Sequence, residues 1–262
     1  MNQLSHARSR VSPDVFMARS RFGRYKKEDR VEARQPDVHR NEIQRLRDLR
    51  DMLRRMKPED VMNMITVYNG LNVFEALALA NREGALIVPN SIHDRILTET
   101  NNPVFFKNSF VWTGTLVIYE APGRVFGETL IYAWEQNNVQ YSISFNVPDK
   151  FRGRKDCALV VQHPDFDLLP TGPNSYRLNV TDVNMLHLIE KFPSTGGTYP
   201  YEEQFRIPVQ STSSSNGRRL WRVVGSCYIG LVVRGGYGVD FSRRGVDADF
   251  MASGERRVAV IE

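Results

Sequence analysis

The chain has 262 residues, 41% of them hydrophobic and 25% charged, with a formal net charge of +5. That composition is ordinary for a globular protein, and no run of about 18 apolar residues or apolar secretory segment is present, so a membrane span and export by that route are not expected. Two cysteines, Cys157 and Cys227, are too few for a disulfide framework or a structural zinc site. We predict a cytoplasmic protein with no cofactor.

The positive charge is concentrated near the amino terminus. Residues 1–57 contain 16 Lys or Arg and 8 Asp or Glu, giving +8, whereas the other 205 residues contain 19 and 22, giving −3. A basic segment gains binding free energy from an acidic partner because counterions are released. The uneven charge therefore predicts a basic arm followed by a folded body.

Residues 1–38 are the predicted arm, expected to be mostly disordered when free because no apolar period is sustained there. Aromatic residues lie among its cations, and such a mixture can stack on bases while it pairs with phosphates. A solubilising tail whose aromatic residues cover a neighbouring surface explains the same composition equally well. The residues predicted to contact nucleic acid are Tyr25, by stacking, and, through phosphates, Arg19, Arg21, Arg24, Lys26, Lys27 and Arg30.

Helical patterns follow over residues 39–100, the predicted helical lead-in. A first helix is expected from about Asn41 to Met56, with Asn41 as its cap and a narrow apolar stripe beside its arginines. Packing of this helix on the body is favoured over pairing with another copy or lying along a nucleic acid. The other predicted elements of the lead-in are helices from Pro58 to Tyr68, Phe74 to Glu83 and Ser91 to Thr98, and a short strand from Ala85 to Val88.

Alternation with a period of two begins after residue 103 and is clearest from Val139 to Val147. Short links predict that this strand forms an antiparallel meander with strands around Trp112 to Ile118 and Leu130 to Trp134. One helix is expected in this region, from Val183 to Phe192. Further strands are predicted at Cys157 to Gln162, Tyr176 to Val180, Phe205 to Val209, Leu220 to Val224, Tyr228 to Val233 and Val258 to Ile261.

These elements predict an α+β fold, in which a helical amino-terminal segment leads into a mainly antiparallel β-sandwich or open barrel. The arm (1–38) and the lead-in (39–100) would be followed by a β-rich body (101–262). Residues 58–262 are within the size range of one domain.

The sharpest candidate for catalysis is the sequence HPDFD, which contains His163, Asp165 and Asp167. An imidazole and two carboxylates suit a divalent transition metal, and an open metal site can activate water. Against this, Pro164 is expected to end the preceding strand, and an Asp after a proline is common in turns. His187 is a poor third ligand for an iron site with His163 and Asp165, because it is predicted on a helix 24 residues later.

Other chemically interesting residues are better explained by the core. Cys157 and Cys227 lie within apolar strand patterns, which favours small buried residues over reactive thiols. Aromatic residues could line a ligand cavity between the sheets, but they also supply much of the buried area in such folds. The core is the favoured place for Trp112, Trp134, Tyr132 and Tyr141.

These patterns favour a non-enzymatic intracellular interaction or assembly protein whose arm binds nucleic acid or another anionic surface, such as an acidic protein. A self-assembling homo-oligomer is a variant of this hypothesis, and a membrane partner is not expected. Two alternatives remain: a metal-dependent hydrolase using His163, Asp165 and Asp167, and a small-ligand binding module with a cavity between the sheets.

Overall fold

The computed structural model describes residues 36–100, 110–136, 138–210, 218–222, 225–235, 238–241 and 256–262. The predicted contact residues of the arm, Arg19 to Arg30, lie outside this part of the chain. The described helices are α1 (Pro36–Arg55), α2 (Pro58–Met64), α3 (Val73–Glu83) and α4 (Asn90–Glu99). The described strands are β1 (Thr66–Asn69), β2 (Leu86–Ile87), β3 (Phe110–Tyr119), β4 (Thr129–Gln136), β5 (Val139–Asn146), β6 (Ala158–Gln162), β7 (Phe166–Gly172), β8 (Ser175–Val180), β9 (His187–Ile189), β10 (Gly197–Tyr199), β11 (Arg218–Arg222), β12 (Tyr228–Gly235), β13 (Gly238–Phe241) and β14 (Arg256–Ile261).

Helix α1 begins at Pro36, five residues before the predicted cap Asn41, which therefore lies inside the helix. Proline suits a first helical position because it has no N–H to leave unpaired and its φ is already helical. At the other end, the guanidinium of Arg95 donates to the carbonyl oxygens of Arg54 and Met56, at 2.6 and 2.9 Å. Carbonyls at a helix end have no partner within the helix, so Arg95 caps α1 from the neighbouring helix α4.

Helix α2 ends at Met64, and the predicted continuation to Tyr68 is wrong because residues 66–69 form β1. Thr66 and Val67 are β-branched, which favours extended backbone, and β1 pairs with β14 at the other end of the sequence. Helix α3 follows its prediction closely. Asn72 and Glu75 form a capping box at its start, and Gly84 ends it in the left-handed conformation with φ 61°.

The strands form two sheets, and the predicted α+β class is confirmed. The larger sheet has the order β1-β14-β3-β12-β13-β11-β10, with β2 beside β14 and with β6 joining β3 to β9. The smaller sheet has the order β4-β5-β8-β7. Most neighbours are antiparallel, as expected, but the pairs β14–β3, β11–β13 and β5–β8 are parallel, so both sheets are mixed. Over the described strands, neither sheet closes into a barrel.

The predicted three-strand meander is wrong in one strand. β4 and β5 form a regular hairpin paired from Thr129 to Gln136, whereas β3 belongs to the larger sheet between β14 and β12. The burial pattern explains the difference: residues 111–119 are all buried, as in a central strand covered on both faces, while β4 exposes every second residue.

Two further predictions in the body are wrong. The predicted helix from Val183 to Phe192 is a short 3-10 turn, Val183–Met185, followed by strand β9. Asp182 accepts a hydrogen bond from the Asn184 N–H, which favours a turn over a continuous helix. The predicted strand from Phe205 to Val209 is reduced to a single bridge between Tyr201 and Pro208.

Two clusters of buried side chains support this architecture. The larger cluster contains the aromatic residues Trp112, Tyr132 and Trp134, with Tyr141 partly buried against it, so their predicted place in the core is confirmed. The smaller cluster anchors α1 and contains Leu46, Leu53, Val61, Leu86, Val88, Ile92, Ile96, Val111, Ala259 and Ile261. The favoured packing of α1 on the body is therefore what the structure shows.

Candidate functional site

Arginines of α1 contact the turn between β6 and β7. Arg47 Nε donates to Asp165 Oδ1 at 2.6 Å, and Arg50 Nη1 donates to Asp165 Oδ2 at 2.7 Å. Because positions 47, 50 and 54 are three and four residues apart, their side chains share one face of the helix. We call this contact the arginine seam; it comprises Arg47, Arg50 and Arg54 of α1 with Gln162 at the end of β6 and with His163 and Asp165 of the turn.

The carboxylate of Asp165 is the only acidic group of the seam, and its side chain is 1% exposed. Two guanidinium groups bind its two oxygens, and its backbone carbonyl accepts from the Thr181 N–H at 2.9 Å. Removing one partner of a buried ion pair leaves an uncompensated charge and costs about 3–5 kcal/mol. Asp165 therefore joins α1 to the body.

The third arginine of the seam has no buried carboxylate as partner. Arg54 Nη2 donates to the neutral side-chain oxygen of Gln162, while Arg54 Nη1 lies 3.3 Å from the half-exposed carboxylate of Asp51. Among the described residues, Arg54 Nε has no hydrogen-bond partner although it is buried. Burial, and then the neighbouring Arg50, lower the pKa of Arg54, while Asp51, Glu202 and Asp165 act in the opposite direction.

His163 is fully enclosed beside Arg50. Its Nδ1 accepts a hydrogen bond from the Ile87 N–H at 3.4 Å, and its Nε2 has no partner among the described residues. Burial, and then Arg50, lower the pKa of His163 to about 4, against the opposing effect of Asp165. His163 is therefore neutral at pH 7, and the seam contains no imidazolium charge from it.

His187 reaches the same region from β9. The pairing of His187 with Val160 places its side chain on the same sheet face as Gln162, two residues farther along β6. Its ring packs against Phe205 with the centroids 4.8 Å apart. Sequence reasoning missed this position because it assigned His187 to a helix; the turn-forming pair Asp182 and Asn184 was the signal that the chain bends before it.

The hypothesis of a metal site in HPDFD gains no support from this geometry and stays a prediction. As expected, β6 ends before Pro164, at Gln162. The carboxylate of Asp165 is occupied by two arginines, and Asp167 lies on β7, where its Oδ1 accepts from the Leu168 N–H at 2.8 Å. Over the residues that the structure describes, no group of three His, Cys, Asp or Glu side chains is arranged to hold a metal ion.

The ligand cavity expected between the sheets stays a prediction. Tyr132 stacks on Trp134, and Trp134 on Tyr141, with ring centroids 5.2 and 5.3 Å apart. Two surface clefts are present elsewhere. One, of about 220 Å³, contains Cys157 and several charged residues, and the other, of about 420 Å³, lies on the outer face of α1 beside Met52.

Comparison with known proteins finds no match for this chain. No family model matches the chain. No curated protein and no solved structure is similar to it either. None of the helices in the described ranges is long and apolar enough to cross a membrane.

Proposed function

We propose that the protein is a non-enzymatic interaction protein that binds nucleic acid through the basic segment preceding α1. The observation that supports this is where the charge lies relative to the first helix. Residues 1–35 contain nine Lys or Arg and four Asp or Glu, a formal charge of +5, while residues 36–262 contain 26 of each. The whole formal excess of positive charge therefore precedes Pro36, and an acidic partner is attracted to that segment.

The contacts of α1 strengthen this assignment. Arg45 donates to the Gly84 carbonyl, and Arg47, Arg50 and Arg54 are bound in the arginine seam. Arg45, Arg47 and Arg50 hold the helix on the body through these contacts, so these three are poor candidates for binding a nucleic-acid backbone. The proposed phosphate contacts are those of the segment before α1, namely Arg19, Arg21, Arg24, Lys26, Lys27 and Arg30.

The state of the cysteines supports the proposed location. Cys157 and Cys227 are free thiols, and Cys157 is buried. Free thiols persist in a reducing compartment, so the cytoplasm is the proposed place of action.

The experiment uses the full chain with all six predicted phosphate contacts changed to Gln, compared with the parent for binding to a labelled single-stranded RNA and a DNA duplex. Six contacts predict a slope of log affinity against log salt of about −4 on the single strand and about −5 on the duplex. The variant should lose most of this slope and about a thousandfold in duplex affinity at low salt. The matched control is Arg40→Gln with Arg55→Gln, two exposed positions of α1. Equal binding by the six-Gln variant and the parent would rule the proposal out.

A second variant separates stacking from charge. Tyr25→Leu keeps every cation, so the salt slope should be unchanged on both nucleic acids. Loss of base stacking should weaken binding to the single strand by about 1–3 kcal/mol and leave the duplex, whose bases are already stacked, nearly unaffected. An equal effect on both would show that Tyr25 does not stack on bases.

A further inference from the structure

We propose that Arg54, Gln162 and His187 form an oxyanion site on the body that takes a phosphate group. This site is separate from the basic segment before α1, and it does not depend on that segment binding nucleic acid. The site combines the guanidinium of Arg54, the amide of Gln162 and the imidazole of His187, which come from three different elements.

The geometry of the three side chains is set by α1, β6 and β9. Arg54 comes from the last turn of α1 and contacts the Gln162 side chain, and the β6–β9 pairing places His187 on the same face as Gln162. The side chain of Arg54 is 30% exposed and His187 is half-buried, whereas Gln162 is buried. The site therefore has a buried floor and an opening to solvent.

Arg54 has the most exposed ion pair of the three arginines of the seam. Arg47 and Arg50 share the one buried carboxylate, Asp165, so Arg54 has only the half-exposed Asp51 within 4 Å. The nearby Glu202 carboxylate is engaged by the backbone N–H groups of Gln204 and Phe205. An exposed ion pair such as Arg54–Asp51 is weak, so a bound anion competes with it easily.

The pKa of His187 responds to the charges around Arg54. Burial lowers the pKa of His187, and Arg50 and Arg54 lower it further, while Glu202 and Asp165 act in the opposite direction. A phosphate beside Arg54 would add negative charge next to the ring and raise this pKa. His187 is therefore both a member of the site and a built-in reporter of its occupancy.

Phosphate is the ligand that matches these donors. A guanidinium offers N–H groups in a planar fork that fits two oxygens of a phosphate, and Arg54 Nη1 faces the half-exposed carboxylate of Asp51, which a phosphate can replace. Gln162 orients this guanidinium: its Oε1 accepts from Arg54 Nη2, and its Nε2 donates to Thr115 Oγ1 at 3.4 Å. An imidazole that gains a proton as the anion binds adds a second charged donor.

The test is an NMR titration of the full chain, labelled at the histidine rings, with inorganic phosphate against sodium chloride of the same ionic strength. His187 is identified from the signal that disappears in His187→Gln. With millimolar affinity, about 10 mM phosphate should shift the His187 signal and raise its pKa, whereas chloride should not. The absence of a phosphate-specific shift would overturn the proposal.

Variants at Arg54 decide which group binds the anion. Arg54→Gln should weaken phosphate binding about tenfold or more, and Arg54→Lys, which keeps the charge but loses the fork, should have a smaller effect. Arg40→Gln, on an exposed turn of the same helix, should leave the titration unchanged. Unchanged signals from the other histidines confirm folding in each variant. Equal phosphate affinity in Arg54→Gln and the parent would also overturn the site.

The source of the phosphate is identified by two further titrations. A mononucleotide with a terminal phosphate carries a phosphomonoester, and a short unphosphorylated oligonucleotide carries only phosphodiesters. A His187 shift with the first alone assigns the site to small phosphomonoesters, and a shift with both assigns it to nucleic acid as well. Repeating the phosphate titration on the six-Gln variant separates the two proposals, because the His187 response should survive there even when RNA binding is lost.

Discussion

Arg50 and Asp165 form an ion pair that is almost fully removed from solvent. Arg50 Nη1 lies 2.7 Å from Asp165 Oδ2, and the two side chains are 8% and 1% exposed. The pair connects a helix near the amino terminus to a turn 115 positions later, so the docking of α1 depends on it.

Replacing the shared carboxylate should therefore destabilise the protein strongly. Asp165→Asn leaves two guanidinium groups, those of Arg47 and Arg50, without a counter-charge, and we expect the free energy of unfolding to fall by about 3–5 kcal/mol in urea denaturation. Asp51→Asn is the matched control, because this carboxylate is half-exposed and its loss should change stability by less than about 1 kcal/mol. Similar losses in the two variants would contradict the structural role of Asp165.

The buried imidazole of His163 predicts how stability changes with pH. Its pKa is lowered from 6.5 to about 4 in the folded chain, so between these values the unfolded state binds more protons. Stability from this residue is present above pH 6.5 and is lost as the pH falls toward 4, by up to about 3 kcal/mol.

Melting temperatures measured from pH 7 to pH 4 test this, with His163→Asn as the variant. Asparagine keeps a side-chain acceptor for the Ile87 N–H and does not titrate, so its pH profile should be flatter than that of the parent. If the melting temperature changed with pH equally in both proteins, His163 would not be the source of the pH dependence. His187→Gln serves as the comparison, since the pKa of His187 is also lowered and contributes in the same direction.

Gly114 should not tolerate even one added methyl group. A Cβ built there would lie 2.1 Å from the carbonyl oxygen of Ile87, which is backbone and cannot move aside cheaply. Gly114→Ala should therefore cost about 1–3 kcal/mol or more through overpacking, measured by urea denaturation. Gly127→Ala is the control, because no atom lies within 4 Å of the corresponding position. If both variants had parental stability, β3 would not approach β2 as described.

The two thiols should react slowly in the folded protein. Burial is the first cause that raises the pKa of Cys157 and of Cys227 from 9.0 to about 11, and Cys227 Sγ also donates to the Ile131 carbonyl at 3.0 Å. Since the thiolate is the nucleophile, reaction with a disulfide reagent at pH 8 should be about a hundredfold slower than in urea. Rapid reaction of one thiol per chain in the native protein would contradict this prediction, because it would show that one cysteine is reactive.

Elements with strong local signals were predictable from the sequence. The alternation in β5 and the Asn72 to Gly84 segment of α3 carry their own periodicity and caps, so they need little help from the rest of the fold. β1 and β9 were missed because each is only three or four residues long and is stabilised by a distant partner, β14 or β6. Tertiary pairing decided their conformation, which no local pattern contains.

The contacts of the candidate site could also be predicted only in part from the sequence. The spacing of Arg47, Arg50 and Arg54 on one helix face was visible, and so was the HPDFD sequence, but nothing local indicates that one binds the other across more than 100 residues. Asp165 was therefore interpreted through its neighbours in sequence, as a metal ligand, whereas the helix supplies its two partners. Charge pairing over such distances is decided by the fold.

The position of β14 in the larger sheet affects the order in which parts of the protein can fold. This strand lies between β1 and β3 and also pairs with β2, so residues 256–261 complete a sheet by pairing with residues that precede them by some 140 positions or more. During synthesis, α1 to β3 leave the ribosome long before β14 has been made. The strand edges that pair with β14 therefore stay unpaired until then. Removing residues 256–262 should consequently yield an aggregation-prone product.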